Sequence, residues 1–323
     1  MIRVLRRYGV AVVATVAAIT IAATACTRPA TQAVGNAGDL VRISVGVDPS
    51  YAPIFLADSE GMFAKAGLHV QVIQTEGGAA GAQNVVAGTS ELSGNADSTA
   101  LTVMAGNPGL RALGVYEDSD RYFRVVLRSG ITPKSIRKMG VFPGIGLYFT
   151  DRYLRSVGLD PASVALVTTS PPEQPALLAR GDIDGFISFD PWVSRAVASG
   201  GQIAGTTGNF GAKYSQWLLA SQSWLSGHEK LAGQVFRVIA QAADIIAADP
   251  DRAAKAVANA IHMAPAEARG QLTQIDFKGR DFTSADIAQA RELVDFFRSQ
   301  GKLSGQIDPQ GVMLSGWFPR NAR

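Results

Sequence analysis

From residue 41 onward the spacing of apolar and polar positions switches repeatedly between two periods. Val41-Arg42-Ile43-Ser44-Val45-Gly46-Val47 alternates with the two-residue period of a strand and stops at Asp48-Pro49-Ser50. Tyr51 to Ala66 then places Ile54, Leu56, Ala57, Met62 and Phe63 at helical spacing, with a break near Gly61 and a stop at Gly67. A second strand follows at 68–73. The alternation continues with helices at 79–87 and 98–105 and strands at 90–94, 111–116 and 123–127. Beyond a break near 128 a second set begins, with strands at 139–142, 164–167 and 185–188 and helices at 147–156, 173–179 and 191–198. A β-rich run at 217–221 precedes a mostly helical stretch from 227 to 300, in which Asp249-Pro250 separates two Ala-rich helices and Thr283-Ser284-Ala285-Asp286 starts another.

Alternating β and α elements predict parallel sheets covered by helices on both faces. The chain leaves the first α/β unit near 128, builds a second, and returns near 217. The expected fold class is therefore α/β, with two doubly wound lobes joined by a hinge of two crossings. Residues 41–127 and 217–323 form lobe 1, and residues 128–216 form lobe 2. In open α/β sheets ligands sit beyond the carboxyl ends of the strands, and two such edges facing one another make a closing cleft.

The N-terminus has a different pattern. Arg3, Arg6 and Arg7 precede an uncharged, Ala/Val-rich run from Gly9 to Ala25, which reads as a signal peptide over residues 1–25. This run is short for a membrane span of about 20 residues. It ends at Ala23-Thr24-Ala25-Cys26, and Cys26 is the only cysteine in the sequence. The segment resembles the lipobox of bacterial lipoproteins, apart from Ala23 where an aliphatic residue is commoner. Lipidation of Cys26, anchorage at the outer face of the cytoplasmic membrane, and a flexible tether over residues 26–40 are the expectations.

Charge alters the picture once the leader is set aside. The 323 residues carry a formal net charge of +3. Arg3, Arg6 and Arg7 account for all of it, so residues 26–323 balance at zero. Without a basic run the chain lacks the electrostatic footprint of a nucleic-acid binder. Its length beyond the leader suits two domains of ordinary size.

Three segments resemble the solute-binding proteins of the aliphatic sulfonate, taurine, nitrate and thiamine-pyrimidine import family. They are Tyr51 to Ala57 with Glu60 to Leu68, Val86 to Glu91 with Gly94 to Ser98, and Leu178 to Gly185 with Phe189-Asp190-Pro191-Trp192. The order of these segments, the leader and the C-terminal helices carry the likeness. It implies a type II periplasmic-binding-protein fold and a monomer that delivers a small solute to an ABC permease and its ATPase; thiamine-pyrimidine synthases resemble this fold too, but their cysteine-rich motif is absent, and neither catalysis nor a cofactor is expected. A sulfonate or taurine-like solute and a thiamine-precursor pyrimidine or other heteroaromatic both fit this family, and a ligand sensor would share the fold. One departure is Gly144-Ile145-Gly146, where the family often carries Ser or Thr. That helix start would hold an anion through backbone amides alone.

Loops at strand ends supply the candidate ligand contacts: Tyr51, Pro53, Gly78, Asn95, Asp97, Gly144, Tyr148, Glu173, Asp190 and Trp192. Aromatic rings would flank a ligand while Asn95, Asp97, Glu173 and Asp190 fix its polar groups. Asp190 and Asp97 serve equally well as helix caps, and Trp192 as packing. Acidic, arginine-poor loops favour a ligand with hydrogen-bond donors, such as an aminopyrimidine or the amine of taurine. For an enzyme the signals are weak. His69, His228 and His262 have no metal-ligand spacing, no metal site is expected, and P-loop, HExxH and nucleophile-elbow motifs are absent.

Overall fold

The structure, a computed structural model, describes residues 39–322. The expectations for the signal peptide, Cys26 and nearly all of the tether lie outside those residues.

In chain order the elements are β1 (Val41–Val45), α1 (Ala52–Ser59), α2 (Met62–Lys65), β2 (Val70–Gln74), α3 (Gly78–Ala87), β3 (Leu92–Ala96), α4 (Asp97–Gly106) and β4 (Leu110–Ser119). Next come β5 (Arg124–Leu127), β6 (Lys138–Val141), α5 (Ile145–Ser156), β7 (Ala165–Thr168), α6 (Gln174–Arg180), β8 (Gly185–Ser188), α7 (Trp192–Ala198) and β9 (Gln202–Thr206). The chain closes with β10 (Tyr214–Ser221), α8 (Gln222–Ala248), α9 (Pro250–Ile261), α10 (Pro265–Leu272), β11 (Asp276–Arg280), α11 (Ser284–Ser299), α12 (Pro309–Val312) and α13 (Trp317–Asn321).

Two sheets result. The first has six strands in the order β11-β4-β10-β3-β1-β2, and the second five in the order β7-β6-β8-β5-β9. Parallel pairing joins β1 to β2 and β3, and β6 to β7 and β8. These are the strands fed by crossover helices. Antiparallel pairing marks the strands at the crossings: β10 lies between β3 and β4, and β5 between β8 and β9.

Sheet membership moves the lobe boundaries. Because β5 pairs with β8 and β9, the first crossing occupies residues 120–123, ahead of the break at 127–128 read from the sequence. The return crossing runs through 211–213, since β10 starts at Tyr214 and not at 217. A second difference is β11, an edge strand inside the stretch read as helical.

Core formation follows from the strand patterns. Val41, Ile43 and Val45 of β1 are fully buried, as are Leu218 and Leu219 of β10, Phe186 of β8, and Val235, Phe236 and Ile239 of α8. Helix α8 is long and apolar enough to cross a membrane by composition, yet its apolar residues pack against the first sheet. Its regular path is interrupted at His228 (φ −131°), whose ring Nδ1 lies 2.7 Å from the Trp224 carbonyl oxygen.

Candidate functional site

Lobe 1 offers a layer of buried polar groups where β1, β3, β4 and β10 end. Asp48, just past β1, accepts hydrogen bonds from the backbone N–H of Ser50 at 2.9 Å and from the Ser50 hydroxyl. Gln216 on β10 donates from Nε2 to Ser50 Oγ at 2.6 Å and to the Tyr214 hydroxyl at 2.7 Å. Its Oε1 accepts from the Tyr116 hydroxyl at 3.1 Å. A register shift in the β4–β10 ladder between Gln216 and Trp217 sets Glu117 directly opposite Gln216. Burial pushes the hydroxyls of Tyr51, Tyr116, Tyr122 and Tyr214 upward, so all four stay protonated.

Aromatic rings line the seam between the lobes. Tyr122 and Phe123 lie in the first crossing, Tyr214 opens β10, and Phe142, Phe149 and Phe189 belong to lobe 2. Tyr122 stacks on Phe189 at 5.4 Å, while Phe123 meets Phe149 at 5.1 Å, Tyr214 at 5.2 Å and Phe142 at 6.0 Å. Phe142 also lines a groove of ≈ 340 Å³ between α4 and α11 of lobe 1 and the β6–α5 turn of lobe 2, together with Thr102, Gly144, Leu147 and Phe297. That groove therefore abuts the seam from outside.

Polar contacts tie the lobes on both flanks. On one side Tyr148 and Arg152 of α5 donate to Glu292 of α11 at 3.1 and 3.3 Å, and the Tyr148 ring packs edge-on against Phe296 at 5.5 Å. On the other, Gln274 donates to Asp190 at 3.3 Å. Asp190 is ion-paired with Arg124 of β5 and accepts from the Ser194 backbone at 3.0 Å and hydroxyl at 2.6 Å. Partial burial alone would raise the Asp190 carboxyl, but the bonds from Ser194 and Arg124 outweigh it and hold the group below the ordinary range.

The residues singled out from the sequence separate into three groups. Tyr51, Gly78 and Asn95 come together: a Cβ on Gly78 would stand 2.8 Å from Asn95 Oδ1 and 3.3 Å from the Tyr51 hydroxyl. Asn95 is fully buried and its amide nitrogen donates to Ser93, leaving Oδ1 without a partner. Pro53 is buried beside them in the first turn of α1.

Asp97, Tyr148 and Asp190 are buried or half-buried at the seam but have protein partners. Asp97 accepts from the Ser98 N–H at 2.6 Å, Ser215 Oγ at 3.2 Å and Gln289 Nε2 at 3.0 Å, which ties α4 to β10 and α11. Its burial nonetheless outweighs these donors and pushes its carboxyl up to about 7. Gly144 lies at the start of α5 with φ 80°, in the outer groove.

Glu173 and Trp192 have other employment. Exposed Glu173 accepts the Ser170 N–H and hydroxyl, both at 2.7 Å, closing a capping box on the 3-10 turn Pro171–Glu173 that leads into α6. The Trp192 indole lies half-exposed under the Arg195 guanidinium, 4.6 Å from its ring centre.

Sequence reading passed over Ser50, Tyr116, Glu117, Tyr122, Phe123, Tyr214 and Gln216. The strands read at 111–116 and 217–221 stop short of Glu117 on β4 and of Tyr214 and Gln216 on β10, so these positions fell between elements. The usable signal was chemical: Tyr-Glu-Asp in β4 and Tyr-Ser-Gln in β10 place polar residues in runs that are otherwise buried.

Comparison with known proteins adds the family context. The NMT1-like family model matches residues 109–262. Among solved structures, the periplasmic aliphatic sulphonate binding protein SsuA from Escherichia coli superposes with a TM-score of 0.78 at 14% identity, over 87% of this chain and 99% of that one. The alkanesulfonate-binding protein SsuA from Xanthomonas axonopodis pv. citri, bound to MOPS, gives 0.68 at 17% identity, over 84% and 97%. A mutant of the desulfurization enzyme DSZB in complex with biphenyl-2-sulfinic acid gives 0.66 at 15% identity, over 87% and 98%. No curated protein matches the sequence. The resemblance read from the sequence therefore holds at the level of the fold: the chain has the periplasmic-binding-protein fold, and its residues 109–262 match the NMT1-like family model.

Proposed function

We propose that this protein is an extracytoplasmic substrate-binding lipoprotein of an ABC importer. It is exported by its N-terminal leader, held at the outer face of the cytoplasmic membrane through Cys26, and works as a monomer. Between its lobes it captures a small polar organic solute of the sulfonate or taurine kind and presents it to a permease with its ATPase. The observation that carries this reading is the buried polar and aromatic seam lying between two sheets that only two chain crossings join. Such a seam is reached by solvent only when the lobes part, which is the geometry of hinge closure around a ligand. A thiamine-precursor pyrimidine or other heteroaromatic is a second reading, favoured by the rings of Tyr122, Phe123, Phe189 and Tyr214, which can flank a planar ligand.

Thermal unfolding of the purified protein with sulfonates, taurine, nitrate and aminopyrimidines tests the binding claim. A ligand at 100 times its Kd stabilises by about 2.7 kcal/mol, and small-angle scattering should show compaction. If no compound in either class raises the melting temperature, the reading fails. For the anchor, Cys26→Ala should move the protein from the membrane fraction to the soluble one.

A further inference from the structure

We propose that Glu117 is the anchor for a small organic amine, so that the solute carried in the cleft has a protonated or N–H-bearing nitrogen resting on this carboxylate. The proposal rests on the solute-binding reading above and narrows its substrate class. Glu117 lies in β4 opposite Gln216 of β10 and Phe277 of β11. It is 0% exposed, and neither Oε1 nor Oε2 has a hydrogen-bond partner. A carboxylate removed from water without a donor carries a heavy desolvation penalty.

Other carboxylates of the layer and of the seam are served differently. Asp97 has three donors, Asp190 has Arg124, Ser194 and Gln274, and Asp48 has Ser50. Only Glu117 among these four is left bare. The groups acting on it most strongly through their charge are Asp118, Asp48, Asp97 and Asp276, all acidic. Burial first, and these charges after it, hold the Glu117 carboxyl well above its ordinary range, so without ligand it keeps its proton, and a cation brought to it would take that proton's place.

Two further features agree. Asn95 Oδ1 and Gln274 Oε1, also buried without a partner in lobe 1, are acceptors too, so what is missing at these places is a donor. Tyr214 opens β10 two residues before Gln216 and its ring lies 5.9 Å from that of Tyr122, so buried aromatic rings stand at the end of the sheet where Glu117 lies. Such rings attract an ammonium or flank an amino-substituted heterocycle. A sulfonate oxygen brought to the same place would add a further acceptor to groups that already lack donors. In a taurine-like solute the nitrogen, and not the sulfonate, would therefore face lobe 1.

Matched pairs differing only at this nitrogen provide the test: taurine against isethionate, benzylamine against benzyl alcohol, and 4-aminopyrimidine against 4-hydroxypyrimidine. Calorimetry and thermal shift on the wild-type protein should show the amine of at least one pair binding about 10- to 100-fold more tightly than its hydroxyl counterpart. Glu117→Gln should abolish that preference while leaving the weaker binding of the hydroxyl compound in place. The same variant without ligand should melt close to wild type near neutral pH, because glutamine replaces a carboxyl that already holds its proton; a carboxylate paired within the protein would give a lower melting temperature. Equal binding of both members, wild-type amine affinity in Glu117→Gln, or a fall in its unliganded melting temperature would each overturn the proposal while leaving solute binding intact. If neither member of any pair binds, the solute-binding reading falls together with it.

Discussion

Two single positions carry the tightest constraints. At Gly94 a Cβ would stand 2.6 Å from the Tyr116 hydroxyl and 3.0 to 3.1 Å from the Tyr51 ring, and both rings are buried. Neither can yield without disturbing Gln216, so Gly94→Ala should destabilise the fold by about 1–3 kcal/mol in denaturant titrations; a neutral result would mean that the rings move freely. Asp97 sets a pH dependence. Its carboxyl is raised to about 7 in the folded protein, against an ordinary value near 4 in an unfolded chain. Between those limits the folded state holds a proton that the unfolded state has lost. Stability attributable to Asp97 is therefore greatest below about pH 4 and falls by roughly 1.4 kcal/mol per pH unit up to about 7. Asp97→Asn should remove that slope, seen as the difference between wild type and variant across this range. Parallel curves would show that Asp97 is charged throughout. Of the residues in this layer, Tyr51 and Asp97 were legible in the sequence because they follow strand ends, and Asn95 because the strand read there stopped one residue before it. Glu117 was not, since the strand read from periodicity ended at Tyr116, and only pairing with β10 and β11 carries β4 on to Ser119.

At the level of elements, hydrophobic period located nearly every strand and helix, and turn residues located their ends. The break between α1 and α2 at Glu60–Gly61 and the capping box of Thr283 with Asp286 follow directly from local chemistry. Strand β11 escaped because Asp276-Phe277-Lys278-Gly279-Arg280 has one large apolar residue and a glycine, so no alternation is visible. Tertiary pairing makes it a strand. Arg280 donates to Asp118 of β4 at 2.6 Å and to both oxygens of Asp286 at 2.6 and 3.0 Å. The same Asp286 caps α11 through Thr283. One guanidinium thus joins β4, β11 and the start of α11, and these partners hold Arg280 well above its ordinary range although its own burial works against them. Arg280→Ala should leave two half-buried carboxylates facing each other and cost at least about 2 kcal/mol. Arg280→Lys should recover little of this, because an ammonium cannot span the fork. Full rescue by lysine would show that charge alone, and not bidentate geometry, holds the edge strand.

The whole molecule is two lobes joined by crossings at 120–123 and 211–213 and held together on their flanks by few contacts. The change of units along the chain made the two-lobe plan legible, while the positions of the crossings depended on strand partners that no local pattern records. With so few flank contacts, the balance between open and closed forms should respond to a single side chain. Glu292 is the clearest case: it accepts from both Tyr148 and Arg152 across the seam, yet it sits on the surface of α11 and supports no core packing. Its loss would reach the closed form selectively, since in an open form those partners are in water. A ligand that binds the closed form must work against any shift toward the open one, so its apparent affinity falls with the closed population. For an exposed pair the loss is small, and Glu292→Gln should raise the Kd of any bound solute by roughly two- to fivefold while leaving the melting temperature of the unliganded protein close to wild type. Scattering from the unliganded variant should give a larger radius of gyration than wild type, and added salt should narrow the difference between them. An unchanged Kd with an unchanged radius would place the control of closure in the aromatic seam of Tyr122, Phe123 and Phe189. In that case Phe189→Ala should produce the larger radius that Glu292→Gln does not.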